Sequence, residues 1–229
     1  MREMNEDKRC WGLLRRRSCL MPTWRGWVLG LLGFILVAVL VVREVHPFLA
    51  VNHPVDSKAM VIEGWLPDYA LEVVVREFNR GNYEKLYVTG GPIEWGAPLS
   101  EYKTYAQRGA AILLKMGLST NVIQAVPGPH VRQDRTYAAA VAFHQWLVQN
   151  GVPLKEVNLM SLGPHARRSW LLFEKGLGKD VMVGVTAIPI EDYDERRWWK
   201  SSQGVRMLID ESVAYAYARI FFRTPKSEL

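Results

Sequence analysis

Cysteine is nearly absent. The 229-residue chain has two, Cys10 and Cys19, and none in the 210 residues that follow. That excludes a disulfide framework and a thiolate metal site from most of the chain. The two that exist stand nine residues apart in a basic tail and match no zinc spacing, so they read as unpaired thiols. Familiar catalytic signatures are missing too. There is no G-x-S-x-G elbow, no lysine behind a Walker-type glycine loop and no identifiable Ser-His-Asp arrangement. Internal repeats and low-complexity tracts are also lacking.

Charge is missing from one stretch entirely. Between Arg25 and Arg43 lie 17 uncharged residues, "GWVLGLLGFILVAVLVV". A bilayer-spanning helix takes ~20 apolar residues, so this run suffices at the short end. A secretory signal peptide is the alternative, but "VVREVHPFL" offers no A-x-A cleavage site. The pattern predicts an uncleaved anchor over 26–43, with Trp24 and Trp27 at an interface. Seven basic and three acidic residues fall in 1–25, so +4 of the net +6 sits before the span. The positive-inside rule then places a basic tail, 1–25, in the cytoplasm and residues 44–229 outside. With +2 on the remaining 204 residues, no nucleic-acid partner is expected.

After the span the chain reads as a linker (44–57), an α/β domain (58–223) and a short tail (224–229). Five apolar β-type runs occur at 59–64, 85–91, 121–126, 156–162 and 181–190. Helical patterns separate them at 68–82, 100–117, 134–151 and 166–178, and a terminal helix covers 204–222. Asp68 and Asp134 are candidate N-caps. His144 falls on an apolar helix face with Tyr137, Ala140, Val141 and Val148, where a core histidine is expected. Buried strands alternating with helices predict a Rossmann-like three-layer sandwich around a mostly parallel five-stranded sheet.

In such folds ligands bind beyond the carboxyl ends of the strands. Those ends carry Glu63-Gly64-Trp65; Thr89-Gly90-Gly91; His130, Arg132, Asp134, Arg135 and Thr136; Gly163, His165, Arg167 and Arg168; and Glu191, Asp192 and Asp194. The helices also open there, aiming N–H groups at the same rim.

The order "VIxG…LYVTGG…DRTYxxA…HxRRS" resembles the SanA/ElyC/YdcF-like family of bacterial envelope proteins, over roughly residues 56–222. Gly90-Gly91 match that family's Ser-Gly-Gly turn. Arg135-Thr136 with Ala139 match its Thr-x-x-Asn-Ala helix start, and His165 with Arg167 or Arg168 its His-x-x-Arg-Ala element. The resemblance implies a Rossmann-like fold, a single anchor in the bacterial inner or plasma membrane, and an envelope-linked activity. There are departures. Ile62-Glu63-Gly64-Trp65 replaces a Gly-rich turn, Ala139 stands near a usual asparagine, and Ser169 follows the arginines. They point to a subgroup in which Glu63 and Trp65 take part in the site.

Each candidate has a bland counterpart. Gly90 and Gly91 let a backbone approach phosphate, or simply end a strand. His165 is a proton-transfer group or a surface histidine. Arg167 and Arg168 diverge by ~100° on a helix, so one faces the rim and the other solvent. Arg132 and Arg135 with Thr136 form a second basic arm beside Asp134. Glu211 is a site residue or half of a salt bridge. "DERRWWK" (194–200) meets lipid headgroups, stacks on a sugar, or covers a sheet edge.

The sequence expectation is an anion-gripping corner: His165 and Glu63 as acid and base, with Gly90, Gly91, Arg132, Arg135, Thr136 and Arg167 or Arg168 as ligand-binding groups. A phosphorylated small molecule or lipid-linked precursor suits it. A non-catalytic ligand-binding or scaffold role is the alternative. Glu63, Asp192 and Asp194 offer oxygen ligands, but no metal-loop spacing is present, so no metal site is assigned.

Overall fold

A computed structural model describes residues 22–94 and 97–224, with the backbone of a short antiparallel pairing of Lys8–Arg9 with Leu14–Arg15. Cys10, Cys19 and the tail 225–229 lie outside the described residues. The chain divides into two compact units, 1–41 and 42–229.

Helix α1 (Trp24–Leu49) is 26 residues long. At 1.5 Å per residue it extends ~39 Å, more than the ~30 Å of a hydrocarbon core. It is long and apolar enough to cross a membrane, and its apolar window is unburied. A signal sequence near an N-terminus shares this length and composition.

The second unit is an α/β sandwich. Its five strands are β1 (Ala59–Glu63), β2 (Lys85–Gly90), β3 (Ile123–Pro127), β4 (Glu156–Leu162) and β5 (Met182–Ile188). All pairings are parallel, in the order β3-β2-β1-β4-β5. The central β1 is buried along its whole length, which explains why "AMVIE" shows no polar alternation before Glu63. Helices α2 (Asp68–Arg80) and α3 (Tyr105–Lys115) cover one face. Their Leu71, Val74, Phe78 and Leu113 pack with Met60, Ile62, Leu86 and Val88 of the strands. Helices α4 (Arg135–Gln149) and α5 (His165–Leu177) cover the other. There Phe143, Leu147, Phe173 and Leu177 meet Val61, Tyr87 and Leu159. Helix α6 (Ser202–Ile220) closes the domain, with Leu208 in the first core and Ala218 against Tyr137 and Leu172. The predicted fold class is the one observed.

Several local expectations are corrected. The residues read as a linker are held by the domain. Helix α1 runs on to Leu49, with His46 and Leu49 buried, and Pro47 is tolerated because it stands in the last turn. His53 then bridges Val185 in antiparallel fashion. The buried Asn158 side chain clamps Val55, accepting from its N–H at 2.8 Å and donating to its carbonyl at 2.7 Å. Asp68 is the first helical residue rather than a cap. Asp134 does occupy the N-cap position of α4, but in the left-handed region (φ 54°) and without a side-chain cap bond. Helix α3 starts at Tyr105, because Thr104 and Gln107 form a capping box. His144 is half-buried and Val148 exposed; Phe143 and Leu147 take the core positions instead.

Gly64 is required by packing. A Cβ there would stand 2.2 Å from the Tyr105 carbonyl oxygen. Gly64→Ala therefore pushes α3 off the end of β1. A loss of about 1–3 kcal/mol is expected, the scale of core overpacking, read as a lowered denaturation midpoint. An unchanged midpoint would refute this contact.

Candidate functional site

The chain order 3-2-1-4-5 reverses direction between β1 and β4, and a crevice opens at that point. A cavity of about 660 Å³ occupies it, lined by residues that follow β1, β2, β3 and β4 and by Glu211 of α6.

Its floor is a quartet of ionisable groups, one buried and three half-buried. Glu63, the last residue of β1, is 3% exposed. Its Oε2 accepts from Ser161 Oγ at 3.0 Å and Ser169 Oγ at 3.1 Å, and its Oε1 accepts from Thr136 Oγ1 at 3.2 Å. His165 opens α5 and has its Nε2 3.5 Å from Glu63 Oε1. That distance makes an ion pair but a poor hydrogen bond, and among the described residues Nε2 has no hydrogen-bond partner. His165 Nδ1 lies 2.9 Å from Glu211 Oε1. Arg168 binds the same carboxylate with two nitrogens, Nε to Oε2 at 2.8 Å and Nη2 to Oε1 at 3.0 Å. This fork fixes Glu211 against the imidazole. Trp65 meets the His165 ring edge-on at a centroid distance of 5.2 Å.

The charges support one another. Burial alone would push the Glu63 carboxyl up, but the charge and contact of His165, the Ser161 bond and the Arg168 charge bring it down to about 2. Burial would lower the His165 pKa, yet the charge of Glu63 and the bond to Glu211 raise it to about 9. Glu211 likewise falls to about 2 against the pull of burial, through His165 and Arg168. At neutral pH two carboxylates face one imidazolium and one guanidinium, so the floor is charge-balanced.

The sequence candidates divide accordingly. Glu63, His165 and Arg168 come together, with Thr136 bonded to the Glu63 carboxylate. Arg167 does not join them. It turns away, stacking 4.0 Å over the Phe48 ring and donating to the Phe48 carbonyl. Arg168 and Ser169 follow His165 at i+3 and i+4 on one helix face, while Arg167, ~100° round the helix, meets Phe48. Arg135 pairs with Glu94 at 2.5 Å on the cavity wall. Arg132 is exposed, lines the cavity and has no ion pair among the described residues. Gly90 and Gly91 also line it. Gly90, however, has φ 156°, and a Cβ on it would lie 2.8 Å from Tyr105 Cβ. Packing of α3 demands that glycine whatever the cavity holds. Asp192 and Asp194 are not part of the lining; Asp194 caps the short 3-10 helix Glu195–Lys200 by accepting from Arg196 N–H. Among the described residues no group of three or more His, Cys, Asp or Glu is placed to hold a metal ion.

Ser161 is not among the sequence candidates, and Ser169 enters there only as a departure from the family's pattern. The available signal was a hydroxyl in the apolar second half of β4, and another one turn past His165.

The lining charges sum to neutrality: Glu63, Glu94, Asp134 and Glu211 against Arg132, Arg135, Arg168 and protonated His165. The cavity therefore offers directed donors rather than a strongly positive field. Helix α4 supplies such donors, since its first turn lacks a side-chain cap and Arg135 and Thr136 line the cavity.

Comparison of the chain with protein-family models, curated proteins and solved structures finds no match.

Proposed function

We propose that this chain is a membrane-anchored enzyme of the SanA/ElyC/YdcF-like type, oriented with its α/β unit outside a bacterial inner membrane. Its substrate class is a phosphorylated small molecule or lipid-linked envelope intermediate. The supporting observation is the Glu63–His165–Glu211–Arg168 quartet at the floor of the switch-point cavity. A structural ion-pair cluster has no need of an open cavity above it. Here His165 lines the cavity, and its buried Nε2, 3.5 Å from Glu63 Oε1, has no hydrogen-bond partner of its own among the described residues. In this reading a phosphoryl group sits between the first turn of α4 and Arg132. Water attacks the phosphorus as the ester P–O bond breaks; His165 Nε2–H protonates the leaving oxygen, the water's proton passes to the phosphate, and Glu63 and Glu211 hold the ring charged and oriented. Glu63, with three hydroxyls and a depressed pKa, is a positioning residue for His165 rather than a strong base. The order of motifs along the chain and the apolar helix before them support the family and the anchor.

The test is thermal unfolding of the full chain in detergent with nucleotides, nucleotide sugars and polyprenyl-phosphate analogues. A compound at ~100 times its Kd adds ~2.7 kcal/mol of stability. Arg132→Ala should abolish that gain. His165→Gln should retain binding and lose phosphate release. A folded chain stabilised by no phosphorylated compound would defeat the proposal.

A further inference from the structure

The second unit has another cavity, of about 580 Å³, remote from the quartet in sequence and lining. It is bounded by Arg43, His46 and Pro47 of α1 and by Glu195–Trp199. Three features distinguish it from an ordinary surface dip. First, Arg43, Arg196 and Arg197 are all exposed, and among the described residues none of them forms an ion pair. Against them stands one carboxylate, Glu195, whose Oε1 is occupied by the Ile190 N–H at 3.2 Å. Second, His46 is 5% exposed, lines this cavity, and its Nε2 is buried with no hydrogen-bond partner. A polar nitrogen left so in a folded protein calls for a ligand or water. Third, Arg43 is the first charged residue after the 17-residue apolar run, on the same helix. A site one turn beyond the end of a spanning segment lies at headgroup depth.

The aromatic side chains fit that depth. Trp198 donates Nε1–H to the Val42 carbonyl at 3.0 Å, locking the 3-10 segment to α1. Trp199 meets it edge-on at 5.9 Å and is 42% exposed. A half-exposed tryptophan beside unpaired arginines is the composition of an interfacial belt.

We propose that this cavity is a binding site for the phosphate of an anionic phospholipid headgroup, gripped by Arg43, Arg196 and Arg197 with His46 as an inner donor. The inference rests on the anchor reading above, because only a chain inserted at α1 brings the cavity to headgroups. Bound lipid would fix the domain against the membrane surface. Arginine forks suit a phosphodiester, whose two free oxygens accept side by side.

The experiment uses the full chain in nanodiscs of phosphatidylcholine alone or with phosphatidylglycerol, followed by thermal unfolding. Each variant is compared with itself in the two lipids, so any general loss of stability cancels. The wild type is expected to unfold several degrees higher with phosphatidylglycerol. That increment should vanish in an Arg43→Gln, Arg196→Gln, Arg197→Gln variant and be reduced in His46→Leu. It should persist in Arg206→Gln, a surface arginine outside the cavity lining. Equal midpoints in the two lipids, an increment surviving the triple replacement, or the same increment from inorganic phosphate in phosphatidylcholine discs would each overturn the proposal. A chain that fails to enter nanodiscs at all would overturn the anchor reading and this site with it. A chain that inserts but ignores phosphatidylglycerol overturns this site alone.

Discussion

Replacement of Glu63 by leucine is expected to cost the domain about 3–5 kcal/mol, the range for removing one member of a buried ion pair. For a domain of this size that is roughly 10 °C in Tm. Three hydroxyls, from Thr136, Ser161 and Ser169, lose their acceptor, and His165 loses a counter-charge 3.5 Å away. The remaining Glu211 must then balance both His165 and Arg168. Glu63→Gln should cost less, since an amide oxygen still accepts and the hydroxyls can rotate to meet its NH₂. The two variants separate charge from hydrogen bonding. Both are read by chemical denaturation followed by circular dichroism. A Glu63→Leu domain within about 1 kcal/mol of wild type would mean that the buried charges do not depend on one another.

That dependence also explains how much of the site was legible beforehand. Glu63, His165 and an arginine at 167 or 168 were visible because strand ends in a parallel sheet converge on one rim. The helix-face difference between Arg167 and Arg168 was visible as an angle, but not which one turned inward. Its direction is set by α1, whose Phe48 offers a ring and a carbonyl to Arg167. Nothing in local periodicity reveals that neighbour, 119 residues away. Glu211 was ambiguous for the same reason, since it stands on a helix whose contacts are set only by tertiary packing.

Glycine misled in an instructive way. Gly90 and Gly91 looked like a phosphate-cradling pair. Gly64 and Gly90 are needed because α3 lies almost on the sheet, with Tyr105 against both. A close approach of backbone requires glycine whether the approaching group is a ligand or a helix. The linker misled in the opposite sense. "HPFLAVNHPVDSK" has the composition of a loop, yet Asn158, a buried polar residue of β4, is what ties it down. A buried asparagine in a central strand signals a partner that sequence periodicity does not name.

The quartet also sets a pH dependence whose sign follows from its shifts. His165 is raised from 6.5 to about 9, so in the folded state it holds a proton that the unfolded chain has released. Its contribution to stability is therefore complete below pH 6.5 and lost as pH rises through about 9. Glu63 and Glu211 are lowered from 4.5 to about 2. Their contribution is complete above pH 4.5 and lost as pH falls through about 2. The cluster is thus at full strength between 4.5 and 6.5 and weakens on either side. In the alkaline window the wild-type unfolding free energy should decline with a slope of up to ~1.4 kcal/mol per pH unit, one proton's worth. His165→Gln should be flat there, and Glu63→Gln should shift the decline to lower pH because the first counter-charge is gone. Imidazole resonances followed by NMR report the same titration directly. The proposed chemistry is tied to this window as well. If the imidazolium is the proton donor, turnover holds through neutral pH and falls as pH passes about 9, where the folded protein loses that proton, whereas binding through Arg132 and the first turn of α4 persists. A His165 that titrates near its ordinary value would remove the electrostatic basis for both.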